Sequence, residues 1–184
     1  IAAKKGTTVR LTIDRDVQWV AANAIQEAVS KARAVSGTVI VMDPKTGQIL
    51  AHATAPTFDP NNTKSVSPSL MRNPSVQDVY EPGSTGKIMT LAAALEEKKI
   101  TPETVLTVPY AIKRGGDTFH DHERHPVQHL TTSGILAVSS NTGTIQIGEM
   151  LSNDTLHAYL SKFGIGISTG SGLPGESKGL FRPV

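Results

Sequence analysis

The sequence VYEPGSTGKIMT, residues 79–90, joins a predicted loop to a predicted helix. The interpretation of this stretch decides which fold is predicted. Pro82 and Gly83 predict the end of the loop, and the helical pattern begins at Ser84. Residues three apart on a helix share a face, so the side-chain heads of Ser84 and Lys87 can touch. The stretch allows two interpretations, a loop that binds phosphate or a serine nucleophile with a lysine base.

The phosphate-loop interpretation fails on spacing. A loop of the form G-x-x-x-x-G-K-[ST] needs a glycine five residues before its second glycine, and a hydroxyl after its lysine. Here Glu81 stands at the first of these positions, and Ile88 follows Lys87. A carboxylate at the mouth of a cradle of N–H groups would also repel phosphate. We therefore set a nucleotide site aside.

The serine interpretation rests on known acid–base chemistry. A serine hydroxyl is a poor nucleophile until a base takes its proton, and a desolvated lysine can lose enough of its charge to act as that base. The start of a helix adds a positive field that favours the developing alkoxide. A serine three residues before a lysine is common on solvated helices, so this motif alone is weak.

A second motif, Ser139-Ser140-Asn141, strengthens the serine interpretation. It stands where one helical stretch can break and another begin, so a turn there would bring polar side chains into a cleft. Ser139 would then pass a proton between Lys87 and the leaving group, and Asn141 would hydrogen-bond a substrate amide. The alternative is a simple helix cap, which commonly uses these residue types.

The composition limits the class of protein. A chain of 184 residues with 38% hydrophobic and 18% charged residues suits one globular core. The net charge is +2, with basic and acidic residues spread along the chain, so we expect no nucleic-acid partner. The absence of cysteine excludes disulfides and thiolate metal sites. The chain has no apolar run as long as a membrane helix, and because it starts at Ile1 we expect a processed or excised start with an anchor upstream.

Local patterns predict mixed helix and sheet. The segment TTVRLTID alternates like a strand, and an amphipathic helix capped by Asp14 or Asp16 follows it. A β-hairpin is predicted over residues 38–53, with its turn at Asp43–Gly47, before a long loop over residues 56–78. The remaining predictions are an irregular polar stretch over 113–129, helical stretches over 132–150 and 154–163, and a glycine-rich tail.

Taken together, the motifs EPGSTGK and SSNTG, with VIVMDPKTGQILAHATAPTFDPN before them, resemble the class B penicillin-binding transpeptidases. The resemblance covers nearly the whole chain, from VRLTID to LPGESKG. The stretch PYAIKRGGDTFHDHERHP resembles the division-associated members of actinobacteria.

This resemblance implies an α/β (α+β) fold of the penicillin-binding transpeptidase and serine β-lactamase type, with flanking helices on an antiparallel sheet that is incomplete here. The chain would form a partial transpeptidase domain. Residues 1–58 would supply the helix and hairpin of the sheet subdomain, and residues 59–184 a mainly helical subdomain.

The resemblance also implies a function. Ser84 would attack the D-Ala-D-Ala stem peptide of peptidoglycan, release the last alanine and pass the acyl group to an amine on a neighbouring strand. The catalytic residues would be Ser84, Lys87 and Ser139, and Asn141 would bind substrate, with no cofactor and no metal. β-Lactam antibiotics would acylate Ser84. The full-length protein would work with cell-division or elongation proteins at the extracytoplasmic face of the membrane, held by an N-terminal helix absent from this chain.

The family's third motif, K-[ST]-G, follows the S-x-N motif on an edge strand. The K-T-G of this chain, Lys45-Thr46-Gly47, precedes Ser84 and lies in the predicted hairpin turn, so we assign it no catalytic role. We expect the strands with the true motif to lie beyond Val184, and the chain alone to react weakly or not at all with β-lactams.

Other interpretations stay open. A D,D-carboxypeptidase or a β-lactamase would share the acylation step and differ in admitting water, and a catalytically silent scaffold or sensor would share only the fold. The charged stretch with His120, His122, His125 and His129, together with Asp121 and Glu123, is interpreted as a solvated rim rather than a metal site.

Overall fold

The computed structural model describes residues 5–183. They divide into one unit that runs to Asp78 and includes Leu173–Ser177, and a second unit with Val79–Gly172 and the residues from Lys178 onwards. The elements are α1 (Arg15–Ala32), β1 (Gly37–Met42), β2 (Ile49–Ala55), α2 (Pro74–Gln77), a 3-10 helix (Gly83–Gly86), α3 (Lys87–Glu96), β3 (Val105–Val108), β4 (Ala111–Arg114), β5 (Asp117–His120), β6 (Gln128–Thr131), α4 (Thr132–Ala137), α5 (Asn141–Gly148) and α6 (Asn153–Lys162). The subdomain boundary at residue 58, which the family resemblance implies, stays a prediction.

In the first unit, α1 packs on the β1–β2 hairpin. Asp14 caps the helix, because its Oδ1 accepts hydrogen bonds from the N–H groups of Asp16 at 2.9 Å and Val17 at 3.0 Å. The pattern of the helix predicts one apolar face that includes both Val20 and Ala21, but Ala21 is the buried centre of the contact whereas Val20 is 59% exposed. The helix therefore buries a narrower stripe than its sequence pattern predicts.

The predicted hairpin is confirmed. β1 and β2 are antiparallel, and the register becomes irregular between Val41 and Met42. In the turn, the carboxylate of Asp43 accepts hydrogen bonds from the N–H of Lys45 and the hydroxyl of Thr46, each at 2.8 Å. The Lys45-Thr46-Gly47 motif thus lies in a turn and not on a strand, as its position in the sequence predicts.

Two predictions of local structure are wrong. Residues 7–14 form no strand, because they make a single backbone-to-backbone hydrogen bond to β2, from the N–H of Asp14 to the carbonyl of Leu50, beside a side-chain bond from the hydroxyl of Thr12 to the carbonyl of Ile49. The stretch 113–129 is not irregular throughout, since β4 and β5 form a hairpin within it. Gly115 and Gly116 adopt positive φ values of 57° and 93° in its turn, which is the glycine requirement of a tight two-residue hairpin.

The core of the second unit lies between helices α3 to α6 and the β3–β6 pair. Its buried members are Leu91, Ala93, Ala94, Ile100, Leu106, Val108, Ile135, Ile147 and Leu151. The long helical stretch predicted over 132–150 is divided into α4 and α5, and the break lies at the Ser139-Ser140-Asn141 motif where the sequence predicts it. Within residues 5–183, no helix is both long and apolar enough to cross a membrane.

Close packing of α4 and α5 requires glycine at position 143. A Cβ there would lie 2.8 Å from Cγ2 of Ile135, a side chain with no exposed surface. We expect Gly143→Ala to lower the free energy of unfolding by about 1–3 kcal/mol through overpacking, despite the better helix propensity of alanine. Urea unfolding followed by circular dichroism measures this change.

Gly148→Ala is the matched control in the same helix, since the nearest atom, Cγ2 of Thr90, would lie at an ordinary 3.5 Å. We expect that variant to unfold at nearly the parental urea concentration. If Gly143→Ala did the same, the close contact with Ile135 would not constrain the fold.

Candidate active site

The nucleophile candidate Ser84 lies in the 3-10 helix that leads into α3. Gly83 enters this turn with a φ of 58°, and the N–H of Lys87 donates to the carbonyl of Ser84. Ser84 is exposed, whereas Lys87, at the start of α3, is partly buried. The local sequence thus presents a hydroxyl to solvent and places an amine one turn later.

Ser139 connects the two side chains. Its Oγ donates a hydrogen bond to Oγ of Ser84 at 3.0 Å and accepts one from Nζ of Lys87 at 2.9 Å. Nζ of Lys87 also donates to the carbonyl of Ser139. The spacing in the sequence allows a direct contact between Ser84 and Lys87, but within residues 5–183 their hydrogen bonds run through Ser139. The three predicted catalytic side chains form one hydrogen-bonded chain.

The backbone of Ser139 is left-handed, with a φ of 55°. It stands immediately after the last turn of α4, where its N–H donates to the carbonyl of Leu136 and the N–H of Ser140 donates to the carbonyl of Ile135. Glycine is the usual residue at this position, because a Cβ makes the left-handed conformation unfavourable. A serine held in this conformation is consistent with a functional role for its side chain.

Asn141, the predicted substrate-binding residue, begins α5 directly after this turn. Its Nδ2 donates to the carbonyl of His120 at 2.9 Å. Within residues 5–183, Oδ1 of Asn141 and the second hydrogen of its Nδ2 have no hydrogen-bond partner. One acceptor and one donor are therefore available to a substrate amide.

Lys87 has the electrostatics of a candidate base. Partial burial lowers the pKa of its amine, because an ammonium ion loses hydration there, and the negative charge of Asp121 opposes this shift. A lowered pKa increases the neutral fraction of the amine, which is the form that can accept a proton.

Comparisons with known proteins place this chain in a family. The model of the penicillin binding protein transpeptidase domain matches residues 37–183. The chain belongs to this family. It is 41% identical over 183 residues to penicillin-binding protein PbpB of Mycolicibacterium smegmatis, and 36% identical over 172 residues to peptidoglycan D,D-transpeptidase FtsI of Escherichia coli K12.

These matches cover 99% and 93% of this chain but only 28% and 29% of the two relatives. Among solved structures, penicillin binding protein 3 of Mycobacterium tuberculosis in complex with aztreonam matches with a TM-score of 0.88 and 39% identity. That match covers 94% of this chain and 39% of the other. The predicted class B family and fold class are confirmed.

Sequence analysis missed one residue that organises this candidate site. Asp121 is only 6% exposed, so its assignment to a solvated rim is wrong. Its Oδ1 accepts from the N–H groups of Asn141 at 2.5 Å and Thr142 at 2.9 Å, and its Oδ2 accepts from Oγ of Ser140 at 2.7 Å. Burial raises the pKa of Asp121, but the hydrogen bonds from Thr142, Ser140, His125 and Asn141 together hold it below its usual value.

His125 is a further hydrogen-bond partner of the Asp121 carboxylate in the second unit. Its Nε2 lies 3.0 Å from Oδ2 of Asp121, and its Nδ1 lies 2.7 Å from the carbonyl of Pro126. Both partners are acceptors, so the ring satisfies both contacts only when both nitrogens carry hydrogen. The Pro126 carbonyl and the Asp121 carboxylate raise the pKa of His125 accordingly.

The other histidines of the stretch have separate surroundings. His120 stacks on the ring of Tyr110 with centroids 5.5 Å apart, His129 contacts the hydroxyl of Thr107, and His122 is exposed. Within residues 5–183, no group of three histidine, aspartate or glutamate side chains is arranged to hold a metal ion.

The His125–Asp121 pair predicts a pH-dependent stability. Because the fold raises the pKa of His125, its contribution is complete below the unfolded-state pKa of about 6.5 and is lost as pH rises through the folded-state pKa. Asp121, with its lowered pKa, stays ionised throughout this range. We expect His125→Ala to reduce the free energy of unfolding more at about pH 6 than at about pH 9.

Urea unfolding of parent and variant at both pH values measures the difference. His122→Ala removes an exposed histidine of the same loop and serves as the control, with a small effect expected on stability. Equal destabilisation by His125→Ala at both pH values would show that the ion pair does not contribute.

Proposed function

We propose that the protein containing this chain is a serine-type peptidoglycan D,D-transpeptidase that forms an acyl-enzyme on Ser84. The observation that carries the proposal is the hydrogen-bonded chain from Ser84 through Ser139 to Lys87, in a chain of the penicillin-binding transpeptidase family. The chain spans about 28% of the length of the mycobacterial relative, so the activity proposed is that of the whole protein.

In the proposed acylation, Oγ of Ser84 attacks the carbonyl carbon between the two terminal D-alanines. The proton of Ser84 passes to a neutral Lys87, with Ser139 as the intermediate hydroxyl. The C–N bond to the last alanine then breaks, and Ser139 returns the proton to the departing amine. Asn141 holds the amide of the peptide through its unused donor and acceptor.

In the second step an amine of a neighbouring stem peptide attacks the acyl-enzyme and restores the hydroxyl of Ser84. Water in place of this amine would give the carboxypeptidase or β-lactamase reaction. The relative from E. coli is named a D,D-transpeptidase, and M. tuberculosis penicillin binding protein 3 is solved in complex with aztreonam and with ampicillin. These names support the transfer reaction and the use of β-lactams as probes.

The proposed location is based on the proposed substrate. Peptidoglycan stem peptides are cross-linked outside the cytoplasm, so we propose that the protein works at the extracytoplasmic face of the membrane. Anchoring by an N-terminal helix outside this chain, and association with division or elongation proteins, belong to the same proposal.

Reaction with penicillin tests the nucleophile. We expect the intact mass of the full-length protein to rise by one opened penicillin, and the Ser84→Ala variant to gain nothing, because it has no hydroxyl to acylate. Ser133→Ala, which removes another exposed serine of the same unit, should label like the parent. Labelling that survives Ser84→Ala would exclude Ser84 as the nucleophile.

The rate of this labelling should depend on pH through Lys87. Since only the neutral amine accepts a proton, we expect acylation to accelerate as pH rises through the lowered pKa of Lys87. Lys87→Arg should lose about 10²–10⁴ in rate, because a guanidinium stays charged. Stopped-flow acylation with a chromogenic β-lactam measures both effects.

Lys99→Arg changes an exposed lysine of the same unit and is the control, with the parental rate and pH profile. A Lys87→Arg variant that kept the parental profile would assign the base to another group.

A further inference from the structure

We propose that Asp121 is a positioning residue for acylation, whose buried carboxylate holds the turn that presents Ser139 and Asn141. This inference rests on the proposed function and adds a residue outside the predicted catalytic set. Asp121 follows β5, and its own N–H donates to the carbonyl of Tyr110 at 3.0 Å, so the carboxylate is fixed to the β4–β5 hairpin.

Four hydrogen-bonding groups meet at the carboxylate of Asp121. The first two N–H groups of α5, from Asn141 and Thr142, both donate to Oδ1, and Ser140 and His125 lie against Oδ2. Hydrogen bonds to an ionised acceptor in a poorly hydrated place are among the strongest in proteins. The start of α5 therefore has one well-defined position relative to the hairpin.

Asp121 adds to an ordinary cap at α5, because it accepts from the first two N–H groups of the helix. Oγ of Ser140 already accepts from the N–H of Gly143 at 2.9 Å. At α4, by contrast, the capping side chain is the single hydroxyl of Thr131, and the first two N–H groups of the helix donate to backbone carbonyls. The additional buried carboxylate at α5 points to a need for position as well as helix stability.

The turn at Ser139 and Ser140 connects this carboxylate to the reacting groups. Residues 120 and 121 hold both the side chain and the N–H of Asn141, through the carbonyl of His120 and Oδ1 of Asp121. Ser140 is held by Oδ2, and Ser139 directly before it contacts both Lys87 and Ser84. A shift of the carboxylate would move the hydroxyl of Ser139 and the amide of Asn141 together.

Asp121 also influences Lys87 through its charge. The negative charge of Asp121 raises the pKa of Lys87 against the lowering effect of burial. Asp121 thus affects the base in a way that an uncharged helix cap cannot. Removing the charge should lower the pKa of Lys87 further, and the pH profile of acylation should move with it.

The test compares acylation by a chromogenic β-lactam in the full-length parent and three variants. For Asp121→Asn we expect the second-order acylation constant to fall roughly tenfold or more, since small displacements of catalytic groups have large effects on rate. We also expect its acidic limb to move to lower pH. For Ser140→Ala, which keeps the charge, we expect a fall of about threefold or more with the limb unmoved.

Asp117→Asn is the matched control, because it removes an exposed carboxylate from the same hairpin. It should keep the parental constant and pH profile. Circular dichroism and thermal unfolding establish that each variant is folded at the assay temperature, so that a loss of stability alone is not counted as a loss of positioning.

Folded Asp121→Asn with the parental constant and an unmoved limb would overturn the proposal. If Asp121→Asn does not fold, Ser140→Ala decides, and a parental constant in that variant would overturn it. A parent that is not acylated at all, like Ser84→Ala, would overturn the proposed function and this inference together. That outcome is distinct from a reactive parent whose Asp121 can be replaced without effect.

Discussion

The candidate site depends on the compensation of one buried charge. A carboxylate that is 6% exposed is stable only if its oxygens are hydrogen-bonded, because an unsatisfied buried charge is strongly destabilising. The donors for Asp121 come from the start of α5 and from the loop at His125. Each of these buried donors would destabilise the fold by about 1–3 kcal/mol if it were left unpaired. The β4–β5 hairpin, the loop after it and α5 are therefore held in one arrangement. The break between α4 and α5 is thereby also fixed.

The sequence predicts the features that depend on near neighbours. The spacing of Ser84 and Lys87, the hairpin with its Asp43 turn and the break at Ser139 all follow from residues within a few positions of each other. The role of Asp121 depends on donors 19 to 21 residues further along the chain, so nothing in its local sequence indicates burial. Composition suggested the opposite, because histidines and charged residues surround it.

One wrongly predicted strand and one missed hairpin show the same limit in different forms. Residues 7–14 have the alternation of a strand but only one backbone hydrogen bond to β2, and a strand needs a partner along its length. The β4–β5 hairpin has weak alternation but a strong turn signal at Gly115 and Gly116, which the polar composition outweighed in the prediction. Turn chemistry was the better guide here than hydrophobic pattern.

The hydrogen-bonded chain from Ser84 to Lys87 requires that Ser139 can exchange its donor and acceptor roles. In the observed arrangement Lys87 donates to Ser139, and Ser139 donates to Ser84. Activation of Ser84 needs the reverse direction, from the hydroxyl of Ser84 to that of Ser139 and on to a neutral amine. A hydroxyl can exchange its donor and acceptor roles by rotation, which neither an ammonium nor a carbonyl can do. Serine at position 139 therefore permits both directions without movement of the backbone.

Lys87 is subject to two opposing influences, and their balance decides whether it can serve as a base. Burial favours the neutral amine, whereas Asp121 favours the ammonium ion and its hydrogen bonds to Ser139. A base that was always neutral would lose a charged contact that holds it in place, and one that was always charged could not accept a proton. Because His125 lies against the same carboxylate, its proton partly neutralises the charge that Lys87 experiences. The loop after β5, residues 121–127, thus influences both the position of the turn and the basicity of the amine, although none of its side chains hydrogen-bonds Ser84 within residues 5–183.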